Sequence, residues 1–509
     1  MSSAKQHLET ARAREQTRRE QQGLGRPIVS TTLGDYRFVA VGETLQASKK
    51  WRFPTDFLTD YLAQTLGRAW GFEEIQKPVE DQHPIVQWYG LVKEYERSQR
   101  KTSEGVFSAR ATGAVWCYLG LAYGLYLLKH NVALQSRFVA RLKNKSQFQG
   151  AYFELIVASC FIRAGFQLSL EDEADPAVKH CEFSAVSPHT NRRYWVEAKM
   201  KSLAGLLGKT SVDGAKLSSK PTSQMTRHIS EALKKPARDT RMIFVDVNAT
   251  HLAPNKEGHV EPPDWISAAE RQLESRERDL KPDERAYVFV SSFPFHRALD
   301  VVCPPRVVLP FGLGIANFCK PGAYRLSELW RRKQEHMDAF CILEAMRSYP
   351  NIPTTFDGSL PLSPEAALNH LTIGQTYEFI GADGTKKLGK VMDATVFEGA
   401  KEAIYVIQTE NGSEMRSRPM TDEELEVYRT HRDTYFGVVR RAGRRIDDPY
   451  ELFEWMVECY SKTPRSKLLE FVKDHPYYDL FESLDDLSLR LEVCEGWVAS
   501  SLNKRNPPT

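Results

Sequence analysis

Residues 194–202 read YWVEAKMKS. Three bulky strand formers run directly into Glu197, Ala198 and Lys199. The stretch is either an ordinary strand surfacing into water or the acid-x-lysine end of a strand that carries phosphodiester chemistry. Side chains alternate along a strand, so Glu197 and Lys199 share one face and Ala198 takes the other. An acid-x-lysine triplet alone is common by chance, so the order of its neighbours decides the reading.

Upstream, GAYFELIVASCFIRAG (150–165) reads as an apolar helix that stops at Gly165, a residue suited to the position just past a helix end. A strand FQLSL, an acidic loop EDEADPA, a strand CEFSAV and a turn SPHTNRR follow. Downstream come a basic segment, a helix around 223–235 and the buried strand RMIFVDVN. A Pro-rich loop, a charged helix near 267–278 and the strand AYVFVSS complete the section. Helices alternating with strands predict an α/β domain over 146–320, built on a central sheet.

Four charged groups fall along this order. Glu154 has Ala151, Val157, Ala158 and Phe161 as its helical neighbours, a face on which a carboxylate is costly to bury without a cation or donor. A plain helix-start acid favoured by the dipole explains it equally well. A hairpin turning near 189–190 sets Glu182 opposite Glu197 or its neighbour. Facing carboxylates repel unless a cation lies between them, and hard cations such as Mg²⁺ take oxygen ligands of this kind. Such a cation polarises a phosphate and activates water, while a lysine two residues on stabilises the charge that develops. The bland alternative is a Glu–Lys pair decorating an exposed sheet face.

Residues 148–248 resemble the PD-(D/E)XK, restriction-endonuclease-like nuclease superfamily. QGAYFELIVASCFIRAGF is similar to that family's first helix with its Glu, CEFSAV occupies the place of its metal-binding Asp strand, and YWVEAK matches its (D/E)XK strand. The resemblance covers about a fifth of the chain. It implies a mixed central sheet flanked by helices, dependence on Mg²⁺ (or Mn²⁺) and phosphodiester hydrolysis. Carried over by position, it makes Glu154, Glu182 and Glu197 metal ligands and Lys199 the group assisting the nucleophile. The family usually has Asp where this chain has Glu182, which is one methylene longer. A degenerate site that binds nucleic acid without cutting, or acts as a scaffold, is the competing expectation. Asp172 and Asp175, in the loop before that strand, are alternative ligands to Glu182, ranked below it.

Residues 199–241 hold ten Lys/Arg against three acids, Asp213, Glu231 and Asp239, an excess that suits a phosphate backbone. Lys201, Lys209, Gln224 and Arg227 are the candidate nucleic-acid contacts there, against the plainer reading of a solvated helix. The expected substrate is DNA, with RNA as the alternative. A homo-oligomer or a partner protein within a bacterial defence or mobile-element system fits by analogy of fold alone. SLAGLLGKTS ends like a phosphate-binding loop, but Leu203 stands where the pattern needs a Gly.

Elsewhere, 1–30 reads as a charged tail or solvated helix, 31–145 as a helical N-terminal domain and 321–370 as a helical linker. Residues 371–420 carry Asp-Gly and Asn-Gly hairpin signals and resemble a small SH3-like β-barrel, with Arg416 and Arg418 as candidate contacts. Thr421 and Glu424 form a capping box opening the helical region 421–509.

The chain has 509 residues, 41% hydrophobic and 27% charged, the balance of a globular protein long enough for several domains. A net charge of +3 demands no nucleic-acid partner globally, so any basic surface is local. Eight scattered Cys without a CxxC pair predict reduced thiols in a cytoplasmic protein, and His180 beside Cys181 lacks the companions of a zinc site. The charged opening MSSAKQHLETARAREQTRREQQ predicts no secretory signal. ATGAVWCYLGLAYGLYLL (111–128) has nearly the length of a membrane span, but its Tyr, Trp and three Gly predict a buried helix instead, and no membrane partner.

Overall fold

The structure, a computed structural model, describes residues 27–99, 109–132, 136–170, 182–209, 220–235, 237, 239–250, 261–281, 283–320, 322–353, 356, 371, 373–374, 376–380, 384–410, 412–430, 435–436, 448–461 and 463–505. Residues 1–26 of the N-terminal tail, Asp172, Asp175, the His180–Cys181 pair, Thr210 and most of the Pro-rich part of the 321–370 linker lie outside them. The chain divides into two units, Met1–Gly314 with Cys341–Arg440, and Ile315–Phe340 with Arg441–Thr509.

The first unit opens differently from the expectation of helix. Ser30–Leu33 (β1), Tyr36–Val41 (β2) and Thr44–Ser48 (β3) form an antiparallel three-stranded sheet. Two-residue connections beginning with Gly34 (φ +56°) and Gly42 (φ +58°) turn the chain, a conformation that glycine adopts without a Cβ clash. Four helices follow: α1 (Pro54–Leu66), α2 (Arg68–Ile75), α3 (Pro84–Ser98) and α4 (Gly113–Asn131).

Helix α4 contains most of the long apolar stretch. It is buried nearly all round, as expected of a core helix. Among the described residues, no helix is long and apolar enough to cross a membrane. Its glycines let neighbours approach. A Cβ on Gly124 would stand 2.7 Å from the Ser159 hydroxyl and 3.1 Å from Leu155 Cγ, both on α6 (Lys145–Arg163). Gly124→Val should therefore cost roughly 2 kcal/mol through overpacking. Gly90→Ala on α3, where a Cβ meets nothing within 4 Å, should stabilise by about 0.5–1 kcal/mol. Denaturant unfolding of the two variants checks the contrast.

Helix α6 ends as the sequence predicts. Gly165 has φ +89°, its N–H donates to Ile162 O at 3.0 Å, and Phe166 N–H donates to Phe161 O at 3.0 Å. The Phe161 and Phe166 rings meet at 5.2 Å, so the helix terminus is closed by both hydrogen bonds and apolar contact.

Beside α6 lies a six-stranded mixed sheet in the order β4-β5-β6-β7-β8-β9. Its strands are Gln167–Leu170, Phe183–Val186, Arg193–Met200, Thr240–Asp246, Ala286–Ser292 and Val307–Leu313. β4, β5 and β6 run antiparallel in succession, β6–β7 and β7–β8 are parallel, and β9 returns antiparallel. Between β6 and β7 the chain forms α7 (Met225–Leu233), and between β7 and β8 it forms α8 (Trp265–Arg278). Ile243, Val245 and Val288 pack with Met225 and Ile229 of α7 and with Ala269 and Leu273 of α8. Phe161 of α6 meets Phe183 and Phe244 at 5.5 and 5.6 Å. The sheet is thus buried by helices on both faces, which explains the apolar runs of β7 and β8.

After α10 (Met337–Arg347, following α9, Leu326–Glu335) the first unit adds β10 (Thr376–Ile380), β11 (Lys386–Phe397), β12 (Glu402–Thr409) and β13 (Gly412–Pro419). They form an antiparallel meander in that order, and no barrel closes among the described residues. Arg416 bonds Ile380 O and Glu414, and Arg418 pairs with Glu424, so both expected contacts have internal partners. The capping box forms: Thr421 N–H donates to Glu424 at 2.9 Å, and Glu424 N–H to Thr421 Oγ at 3.2 Å, at the start of α11 (Asp422–Thr430).

The second unit is helical in its described residues: α9, part of α10, and α12 (Pro449–Cys459), α13 (Arg465–Phe471), α14 (Tyr478–Ser483) and α15 (Asp486–Arg505). Phe453, Val457, Leu491, Cys494 and Val498 make its core.

Candidate active site

The turn of the β5–β6 hairpin sets the site. Ser187 N–H donates to Arg192 O at 2.9 Å, and Asn191 sits at φ +56°. The register Phe183↔Val196 follows, and Glu182 N–H donates to Val196 O at 3.0 Å, which brings Glu182 beside Glu197. Glu197 and Lys199 pair across β6–β7 with Ile243 and Val245, so they share the face that α7 covers.

Lys199 joins the two carboxylates. Its Nζ lies 2.6 Å from Glu182 Oε1 and 2.8 Å from Glu197 Oε1. Burial opposes a charge on Lys199, yet Glu182 and Glu197 outweigh it and hold the ammonium above its usual range. A lysine kept charged this firmly stabilises negative charge and does not serve as a base. Glu197 is 2% exposed. Burial and the Glu182 charge push its carboxyl up, against the pull of Lys199 and Lys235.

Glu154 belongs to the same electrostatic cluster. Burial, then the Glu182 charge, push it up to about 7, with Arg141 and Lys199 pulling the other way. Arg141, on α5 (Ser136–Lys143), grips both Glu154 oxygens, at 2.8 and 2.5 Å. This bidentate pairing accounts for an acid on an apolar helix face. Lys235, just past α7, holds both Glu197 oxygens at 2.7 and 2.8 Å. Sequence reasoning did not single out Arg141 or Lys235. Their only trace was the basic character of RFVARLKNK and EALKK.

The candidate nucleic-acid residues are placed variously. Lys201 is 2% exposed and its ammonium bonds Lys220 O at 2.7 Å, so it braces the loop after β6. Lys209 is exposed and bonds the Ser202 hydroxyl, and Gly208 before it has φ +78°. Gln224 is half-buried at the head of α7. Arg227 is exposed on that helix, with Glu231 3.7 Å away. Gln149 of α6 pins the same loop through Leu203 and Leu206.

A further buried carboxylate, Asp246 at the end of β7, is committed elsewhere. It accepts from Asn248 N–H, Phe293 N–H and the Ser291 hydroxyl at 2.8, 3.0 and 3.1 Å. Burial still pushes it up to about 7.

No family model, curated protein or solved structure matches this chain.

As placed, no three Asp, Glu, His or Cys side chains among the described residues form a metal-binding group. The donor chemistry nevertheless suits a hard divalent cation. Glu154, Glu182 and Glu197 are oxygen donors, the Glu182 charge pushes the carboxyls of Glu154 and Glu197 up, and each of the three is paired with a cationic side chain. These are the residues that would hold Mg²⁺ or Mn²⁺, once Arg141 and Lys235 release their carboxylates.

Proposed function

We propose that this chain is a divalent-metal-dependent endonuclease hydrolysing phosphodiester bonds in DNA, built on a restriction-endonuclease-like core. The observation that carries the reading is Lys199 Nζ bridging Glu182 and Glu197 at 2.6 and 2.8 Å, within a cluster that includes Glu154. The frame supports it. An apolar helix bearing Glu154, three antiparallel strands, a helix and a strand parallel to the third occur in the order on which the resemblance rests. A bound divalent cation would polarise the phosphate and lower the pKa of a coordinated water. The chain's own part is to hold that cation by three carboxylates and to keep Lys199 charged toward the developing negative charge. By strand spacing alone, residues 371–420 are read as related to SH3-like modules that bind nucleic acid or peptide, or brace a neighbour.

A second reading is a nuclease-fold protein that binds nucleic acid or acts as a scaffold without cutting. Arg141 and Lys235 on the acids, and Glu182 in place of the usual Asp, favour it. Incubation of the full chain with supercoiled plasmid, single-stranded DNA and RNA, in Mg²⁺, Mn²⁺ or EDTA, separates the two. Nicking that needs the metal and disappears in Lys199→Ala supports the nuclease. Cleavage that persists in that variant sinks the site, and DNA binding without cleavage by the wild type selects the second reading.

A further inference from the structure

The candidate site is electrically balanced before any substrate arrives. Three carboxylates, Glu154, Glu182 and Glu197, face three cations, Arg141, Lys199 and Lys235. Lys235 is the surplus partner. Glu197 Oε1 already receives Lys199 at 2.8 Å, and Lys235 adds a second ammonium that touches both oxygens at 2.7 and 2.8 Å. That chelating position is the one a metal ion takes on a carboxylate.

The backbone of Lys235 is fixed, and Glu197 is the carboxylate that holds its ammonium. Its N–H donates to Ala232 O at 3.2 Å, and its carbonyl accepts from Arg241 at 3.0 Å. The ammonium rides on a flexible four-carbon stem. We propose that Lys235 is a phosphate-contacting residue of this site, parked on Glu197 until a divalent cation takes that carboxylate. The proposal rests on the metal-dependent nuclease reading. Loading a divalent cation turns the balanced cluster into one with two surplus positive charges. The displaced ammonium then finds its counter-charge in the incoming phosphodiester.

Lys235→Met and Lys235→Gln test this in the full chain. The first keeps an unbranched apolar stem, and the second keeps an N–H donor for Glu197, so at least one is expected to remain folded by circular dichroism. Mn²⁺ binding is titrated without nucleic acid, and duplex DNA binding is measured in Ca²⁺ over a series of salt concentrations. With the competing ammonium gone, Mn²⁺ should bind tighter, on the order of tenfold. The slope of log K against log salt should become shallower by about 0.9, the loss of one phosphate contact. An unchanged slope, or Mn²⁺ affinity that stays level or falls, overturns the role of Lys235. A wild type that binds no Mn²⁺ sinks the metal reading itself, and that result is visible before any variant is made.

Discussion

In the proposed endonuclease, Glu197→Gln should lower metal-dependent cleavage by on the order of 10²–10³-fold, the scale seen when one preorganised electrostatic contact is lost from an active site. The substitution preserves shape and removes one negative charge. That charge is shared by Lys199 and Lys235, and it is buried, so water cannot replace it. Two effects follow together. On the proposed nuclease reading a bound cation would lose a carboxylate at the most enclosed point of the site, and the two ammoniums lose their common anion. Lys199 retains Glu182 at 2.6 Å, so the fold should survive with a lowered melting temperature. Glu182→Asp is the informative companion. It keeps the charge and shortens the reach, so the rate should drop far less than in Glu182→Gln. Single-turnover cleavage beside thermal melts reads both quantities. Wild-type rates in Glu197→Gln would remove Glu197 from the chemistry.

The α/β order was legible because it rests on local signals. Gly165 closes α6, and the SPHTNRR turn fixes the β5–β6 register that brings Glu182 to Glu197. A hairpin is a short-range object, so its pairing can be counted from the sequence. The partners of the acids cannot. Arg141 lies 13 residues from Glu154, on a separate helix, and Lys235 lies 38 residues from Glu197. No spacing rule joins them, since only the packing of α5 against α6 and of α7 on the sheet does so. The same limit applies to the 376–419 sheet, in which no barrel closes among the described residues. Hairpin signals predict neighbours within a meander, whereas closure depends on its first and last strands meeting. The β1–β3 sheet was missed for another reason. Its strands are 4, 6 and 5 residues long, and the two outer ones are mostly exposed, so their alternation is weak beside the apolar helices that follow.

Arg141→Ala should destabilise the protein by about 1–3 kcal/mol at pH 8, because a buried Glu154 without its cation must either carry an uncompensated charge or take up a proton. Glu154 is 8% exposed, and in the wild type its carboxyl already sits at about 7, above the ordinary value of about 4.3. The folded chain therefore keeps a proton that the unfolded chain releases. The stability this contributes is fully present below about pH 4.3 and is lost as pH rises through about 7. Removing Arg141 takes away a group that pulls the carboxyl down, so the proton is held to still higher pH. At pH 5.5 the acid is neutral with or without the guanidinium, and the cost of Arg141→Ala should shrink to the lost packing and hydrogen bonds. Glu154→Gln removes the titrating group and should flatten this part of the pH dependence. Denaturant unfolding of the wild type, both single variants and the double variant at pH 5.5 and pH 8 gives the coupling energy directly. A coupling large at pH 8 and small at pH 5.5 identifies Arg141 as the counter-ion of an ionised Glu154. Equal coupling at both pH values would mean that the pair is held by shape and hydrogen bonding, with no role for the charge.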